Sequence, residues 1–225
     1  MERVFQIAID GPAAAGKSTV SKIVAGKLGF IYIDTGAMYR SLTYKALRLG
    51  CPTSDGAALG KLLGQTVIEL KHDAGGQRVL IDGEDVTERI RYPDVTAQVS
   101  LVSSFVSVRE EMVRRQRELA DNLNVVMDGR DIGTHVLPRA QVKIFLKASV
   151  EQRAIRRLKD EEAKGRHPSL AALKADIALR DKKDMGRDVS PLVRAADAIE
   201  VDTTSMSISE VVETILRIVK VRRHR

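Results

Sequence analysis

Cysteine is nearly absent. Cys51 stands alone in 225 residues, so no internal disulfide can form, which fits a reducing cytosol. Tryptophan is missing and aromatic residues make up only 4%, so a base-stacking platform for single-stranded nucleic acid is thinly supplied. No apolar run reaches the roughly eighteen residues that would cross a bilayer. The N-terminus lacks the charged start, apolar stretch and small-residue cleavage site of a secretory signal; it goes straight into a strand-like run, Val4 to Ile9. These absences predict a soluble, cytoplasmic protein with no membrane partner. His72, His135, His167 and His224 are scattered, with no cysteine or carboxylate at ligand spacing, which argues against a zinc site.

Positive charge is in excess. Lysine and arginine number 37 against 30 acids, a net charge of +7. That surplus suits a nucleic-acid surface or a cleft for small polyanions, and composition alone does not choose between them.

The hydrophobic pattern predicts an α/β fold. Val4–Asp10 and Phe30–Ile33 read as buried strands, followed by helical spacing over Gly16–Leu28 and Ala37–Leu49, each closed by glycine. Short apolar runs at Val125–Met127, Lys143–Leu146 and Ala198–Val201 alternate with helical segments, which implies a five-stranded parallel sheet flanked by helices. The rhythm breaks between Thr66 and Arg89. Val67–Leu70, Arg78–Ile81 and Asp85–Val86 are separated by the turn signals Asp73-Ala-Gly-Gly76 and Asp82-Gly83, so a small antiparallel insertion is expected. Helices are expected near Asp94–Ser104 and Ser107–Asn122, with capping boxes at Ser107–Glu110, Ser149–Gln152 and Ser207–Glu210. The Val221–Arg225 tail reads as a frayed end.

The strongest motif is a phosphate loop. Gly11-Pro12-Ala13-Ala14-Ala15-Gly16-Lys17-Ser18, continuing into Thr19, matches the strand–loop–helix signature in full. Glycine lets successive backbone N–H groups turn toward phosphate, Lys17 places a charge by the β- and γ-phosphates, and the Ser18 hydroxyl is a ligand for Mg²⁺. The motif establishes nucleotide binding and leaves the reaction open. No Asn-Lys-x-Asp guanine-reading segment is present, which argues against a regulatory GTPase.

A kinase for small metabolites needs a second anion site built of arginines, because phosphoryl transfer is chiefly positioning and charge stabilisation. Asp34–Arg40 follows the second strand and Asp128–Asp131 the third; ligands of open α/β sheets sit outside these strand ends, so Arg40 and Arg130 are candidates. Val150–Gly165 is dense in charge, with Arg153, Arg156 and Arg157 spaced to share a helix face, which suits a lid bringing arginine to the transferring group. The acceptor phosphate is already ionised near neutral pH, so no general base is required. Catalysis falls to Lys17, Mg²⁺, Arg130, Arg153 and Arg157.

These segments closely resemble bacterial cytidylate kinases. The matches are Ile9-Asp-Gly-Pro12 leading into Gly16-Lys17-Ser18, Asp34-Thr-Gly-Ala-Met-Tyr39-Arg40, Asp82-Gly-Glu-Asp85-Val, Arg114-Arg-Gln116, Val126-Met-Asp128-Gly-Arg-Asp131-Ile-Gly133, Val142-Lys-Ile-Phe-Leu146, Arg180-Asp181 and Ser190-Pro191-Leu192, in family order over nearly the whole chain. The resemblance implies a P-loop kinase domain over 1–225 with a monophosphate-binding insertion at 66–106 and a lid at 150–185. It implies ATP as donor, CMP or dCMP as acceptor, Mg²⁺ as cofactor, a monomer and no nucleic-acid partner. Carried over position by position, Thr35, Tyr39 and Arg40 hold the acceptor nucleotide. Ser100 and Arg109 contact the cytosine edge, and Asp131 accepts from the cytosine amino group. Arg130 and Arg187 bind phosphate, and Arg180 and Asp184 contact ribose. Two rivals stay open at this point: a P-loop kinase for another small acceptor such as UMP or shikimate, and a basic nucleic-acid-binding protein that uses ATP as a switch.

Overall fold

The computed structural model describes residues 4–73 and 76–223. In chain order the elements are β1 (Gln6–Asp10), α1 (Lys17–Leu28), β2 (Ile31–Asp34), α2 (Thr35–Arg48), α3 (Gly56–Gly64), β3 (Ile68–Asp73), β4 (Gly76–Ile81), β5 (Glu84–Asp85), α4 (Pro93–Val102), α5 (Val106–Ala120), β6 (Val125–Gly129), β7 (Val142–Lys147), α6 (Val150–Glu162), α7 (Leu170–Met185), β8 (Ile199–Asp202) and α8 (Ile208–Arg223). A 3₁₀ turn at Arg89–Arg91 precedes α4, and one turn of π-helix, Ile132–Val136, follows β6.

Among the described residues, five strands form one sheet in the order β2-β6-β1-β7-β8, and β3-β4-β5 form a second. The large sheet is parallel, with Ile9 opposite Asp128 and Ile144 on either side of β1. The expected five-stranded parallel sheet and antiparallel insertion are both present. β1 and β6 are apolar runs buried along nearly their whole length, as strands covered on both faces must be.

The chain divides into two compact units. The first, residues up to Tyr32 with those from Asn122 onward, is built on a core of Ile7, Ile9, Val24, Val126, Ile144 and Ile215 from the sheet, α1 and α8. The second, Ile33–Asp121, centres on Leu42, Leu59, Leu63, Val102 and Met112, where α2 to α5 meet.

Several local expectations change. α3 goes unseen in the periodicity because Gly56, Gly60 and Gly64 lower its helix propensity. The first two glycines are there for clearance: a Cβ on Gly56 would lie 2.5 Å from the Phe105 ring, and one on Gly60 3.1 Å from Ser107 Oγ. Ser107 does not open α5. The helix begins at Val106, and the Ser107 hydroxyl donates to Gly56 O at 2.9 Å. The box at Ser207 forms in both directions, with Glu210 N–H donating to Ser207 Oγ and Ser207 N–H to the Glu210 carboxylate. Ser149 accepts from Gln152 N–H at 3.1 Å. Val221–Arg223 continue α8 rather than fraying, while residues 224–225 and positions 74–75 of the expected hairpin turn lie outside the described residues.

Candidate functional site

The phosphate loop leaves β1 at a point where only glycine fits. Gly11 has φ +150°, and a Cβ there would sit 2.2 Å from Leu146 O of β7. Gly16, with φ +90°, turns the chain into α1, whose first turn carries no acid, so its N-terminal amides face any anion without internal competition. Lys17 is buried and donates from Nζ to Pro12 O at 2.8 Å. Burial, followed by the Arg130 charge, lowers its pKa from the usual lysine value to about 7. Thr19 is exposed on α1.

Asp128, in β6, lies next to this loop. Its Oδ2 accepts from the Ser18 hydroxyl at 3.0 Å, and its Oδ1 from the Tyr32 hydroxyl at 2.8 Å. The sequence reading quoted Asp128 inside its segment but gave it no role. The available signal was an acid at the end of the strand beside β1. Oxygen donors of this kind, a P-loop hydroxyl with a strand-end carboxylate, suit a hard divalent cation. Among the described residues no group of three or more His, Cys, Asp and Glu gathers as a metal site, so an ion here would rely on oxygens from its nucleotide as well.

Beyond β6 the chain carries Arg130 and buried Asp131, and the π-turn is closed by His135 N–H and Val136 N–H donating to Asp131 O. Asp10, at the end of β1, holds this turn. Its carboxylate accepts from Ile132 N–H at 2.8 Å and Gly133 N–H at 2.7 Å. Burial dominates its titration and lifts its pKa to about 6.

Helix α7 supplies the counter-charges. Arg130 Nε donates to Asp184 Oδ2 at 2.9 Å, and Arg180 Nε lies 4.0 Å from the same oxygen. Burial works against the Arg130 charge, but Asp184 outweighs it and the pKa is raised. Arg180 is lowered to about 10 by burial and by Arg130. Asp184 is held below the usual carboxylate range, because Arg130 and Arg180 overcome the opposing effect of its burial. Arg187 Nε donates to Asp184 O at 3.3 Å. Lys17, Arg130, Arg180 and Asp184 thus form one electrostatically linked cluster.

The three arginines of α6 do not act as one face. Arg153 is buried and donates to Ala13 O, Ala148 O and both oxygens of Asp181. Arg156 donates to Thr203 Oγ1 at 3.0 Å and to its carbonyl. Arg157 pairs with Glu161 at 2.5 Å. Spacing of i, i+3 and i+4 identifies neighbours on a helix, whereas depth decides their partners.

The second unit assembles the remaining predicted residues. Asp34 caps α2 by accepting Ala37 N–H at 2.9 Å, and its other oxygen accepts from Arg91 Nη2 at 3.2 Å. The sequence pattern did not single out Arg91, which reads there as a surface arginine. Thr35 and Tyr39 are buried on α2, and Arg40 Nη1 donates to Thr96 Oγ1 at 2.8 Å and Ile90 O at 3.2 Å. Arg109 is almost wholly buried, stacks over the Tyr39 ring at 5.5 Å and donates to Ser103 O at 3.1 Å. Ser100 is buried on α4, and its carbonyl accepts from the Ser103 hydroxyl at 3.1 Å. Tyr39, Ser100 and Arg109 are therefore linked through one short network.

Comparison with known proteins gives the family. The chain is 60% identical over 222 residues to a cytidylate kinase of Geobacillus sp. (strain WCH70), covering 99% of both chains. It is 56% identical over 220 residues to the cytidylate kinase of Bacillus subtilis (strain 168), covering 98% of both. An uncharacterised protein from Eubacterium ventriosum shares the fold, with a TM-score of 0.50, 12% identity, and coverage of 97% of this chain and 99% of that one. The family described as Cytidylate kinase matches residues 7–221, from inside β1 to near the end of α8, and the chain belongs to that family.

Proposed function

We propose that this protein transfers the γ-phosphoryl group of ATP to CMP or dCMP, giving ADP and CDP or dCDP. The observation that carries the reading is the cluster beside the phosphate loop of buried Lys17 with half-buried Arg130 and Arg180, the two arginines sharing Asp184, within a chain of this family. Burial of charge on this scale costs folding energy unless it serves an anion or a partner. Two nucleotides bring several negative charges, and such a cluster lowers their mutual repulsion.

An ionised oxygen of the acceptor phosphate attacks the γ-phosphorus. The bond to the β,γ-bridging oxygen breaks, and ADP leaves with the electron pair. Lys17 and the Gly11–Thr19 loop, through its N–H groups other than at Pro12, bind the donor phosphates. Ser18, with Asp128 behind it, would hold Mg²⁺, which neutralises phosphate charge when bound. Arg130, Arg187, Arg40, Thr35 and Tyr39 bind and orient the acceptor phosphate, while Arg180 and Asp184 contact its ribose. Arg157, at the outer part of the 150–185 lid, leaves Glu161 for the transferring group on closure, and closure excludes water as a competing acceptor. Asp131 reads cytosine: its carboxylate accepts from the exocyclic amino group, where uracil would present a carbonyl, and Ser100 and Arg109 hold the same base edge. Residues 66–106 form the monophosphate-binding insertion. A monomer in the cytoplasm is the setting this reading takes.

The test is an acceptor panel of CMP, dCMP, UMP and AMP with ATP and Mg²⁺, the product identified as a nucleoside diphosphate. CDP and ADP should appear in equal amounts, with CMP clearly preferred over UMP and AMP. Lack of that preference overturns the substrate assignment.

A further inference from the structure

Helices α6 and α7 clasp the phosphate loop at a single peptide. Within Gly11–Gly16, Ala14 is the non-glycine residue with a left-handed backbone, φ +58°, a conformation disfavoured for any residue with a Cβ. The structure supports it from two directions. Its methyl packs on the apolar cluster of Ala154, Leu173 and Ile177, where α6 meets α7. The preceding carbonyl, Ala13 O, accepts from Arg153 Nη1 at 3.1 Å.

Arg153 is itself fixed. Nε donates to Ala148 O at 3.0 Å, and Nη1 and Nη2 donate to Asp181 Oδ1 and Oδ2 at 3.0 and 2.5 Å. Those bonds and the one to Ala13 engage four of the five N–H groups a guanidinium carries. The side chain is 3% exposed and Asp181 9% exposed. A group so occupied has little left to offer a phosphate. A peptide unit is planar, so fixing the Ala13 carbonyl toward Arg153 turns the Ala14 N–H to the opposite edge of the same plane.

We propose that Arg153 is a positioning residue: pinned by Asp181, it holds the Ala13–Ala14 peptide in the orientation that binds ATP phosphates, and it does not touch the transferring group. This rests on the reading of residues 11–19 as the ATP site.

Calorimetric titration of the full chain with MgADP, and separately with CMP, tests it. Arg153→Lys keeps the charge but loses the fork, so MgADP affinity should fall about tenfold, with CMP affinity held within about twofold. Adding Ala14→Gly should recover most of that loss, because glycine adopts positive φ unaided. Ala14→Gly alone should change MgADP affinity by less than about threefold, the relieved backbone and the lost methyl contacts opposing each other. Should Arg153→Lys fail to fold, Asp181→Asn with and without Ala14→Gly carries the same expectations, since a carboxamide cannot accept both arms of the fork. Unchanged MgADP affinity, equal weakening toward CMP, or no recovery by Ala14→Gly overturns the proposal. A fall in kcat with both affinities intact also overturns it, by placing Arg153 on the reacting group. Failure of the unmodified protein to bind MgADP or to make CDP would instead sink the assignment of function.

Discussion

Two aspartates sit at the ends of neighbouring strands and have different duties. Asp10 ends β1, and Asp128 lies across from Ile9 on β6. Both are buried, at 5% and 3% exposure. Asp10 accepts from two main-chain amides of the turn after β6, whereas Asp128 accepts from two hydroxyls, Ser18 and Tyr32. Amides belong to the scaffold and cannot turn away, so the Asp10 carboxylate shapes the loop that carries Arg130 and Asp131. A hydroxyl can rotate to a new partner, so the Asp128 carboxylate can be released to another group. Residue type and strand position are shared, and the partners differ.

Asp128→Asn should produce the largest effect. The carboxamide loses a charge and one accepting oxygen beside Ser18, and we expect kcat/KM for transfer to fall by roughly 10²–10³ while the thermal midpoint moves by only a few degrees. A loss below about tenfold would place Asp128 with Asp10 as scaffold.

Asp131→Asn asks whether the turn held by Asp10 reads the base. kcat/KM for CMP should drop about fivefold to 150-fold more than kcat/KM for UMP, as a selective loss of about 1–3 kcal/mol requires. Equal losses on both acceptors would move Asp131 to a phosphate-side or structural role.

Asp10→Asn separates scaffold from chemistry by its pH dependence. The folded pKa of about 6 lies above the ordinary aspartate value of 3.8 because of burial. Between those values the folded protein binds more protons than the unfolded chain, so this group's contribution is fully present below pH 4 and is lost as pH rises through 6. The stability of the unmodified protein minus that of Asp10→Asn should therefore shrink by about 1–3 kcal/mol from pH 4 to pH 7, as read from urea unfolding curves. A gap that stays level would show that Asp10 titrates as an ordinary carboxylate, and one that widens that its folded pKa lies below the ordinary value; either overturns the reading.

The same contrast explains what was legible in the sequence. The phosphate loop and the parallel strands could be read because their signals are local: a fixed spacing of glycines, or an apolar run between turn residues. Arg40 and Arg130 could be singled out as candidates by the strand-end rule, which needs only order along the chain, whereas a role for Asp131 came from the resemblance alone. Asp10 and Asp128 could not be told apart, because their partners lie 96 to 123 residues away. Arg153 and Arg157 looked alike for the same reason: their helical period is visible, but Asp181, 28 residues from Arg153, is what draws that guanidinium inward. α3 was hidden because its glycines answer to Phe105 and Ser107 rather than to helix propensity.

Tyr32→Phe should have the smallest effect and sharpens the comparison most. Tyr32 is buried in β2, and its hydroxyl donates to the Asp128 oxygen that Ser18 does not use. Removing that donor leaves ring packing, charge and the Ser18 bond in place, so what changes is how firmly Asp128 is aimed. One such bond to a charged acceptor is worth about 1–2 kcal/mol, which corresponds to a loss of about fivefold to thirtyfold if aiming matters to the bound metal–nucleotide complex. Calorimetry can read this without turnover: MgADP should bind more weakly to Tyr32→Phe, while ADP in EDTA should bind as before. Weakening toward both forms would mean that the hydroxyl supports the loop as a whole, making Asp128 part of the scaffold after all. Weakening confined to the metal-bound form would keep it on the working side, with Tyr32 as the group that sets its direction.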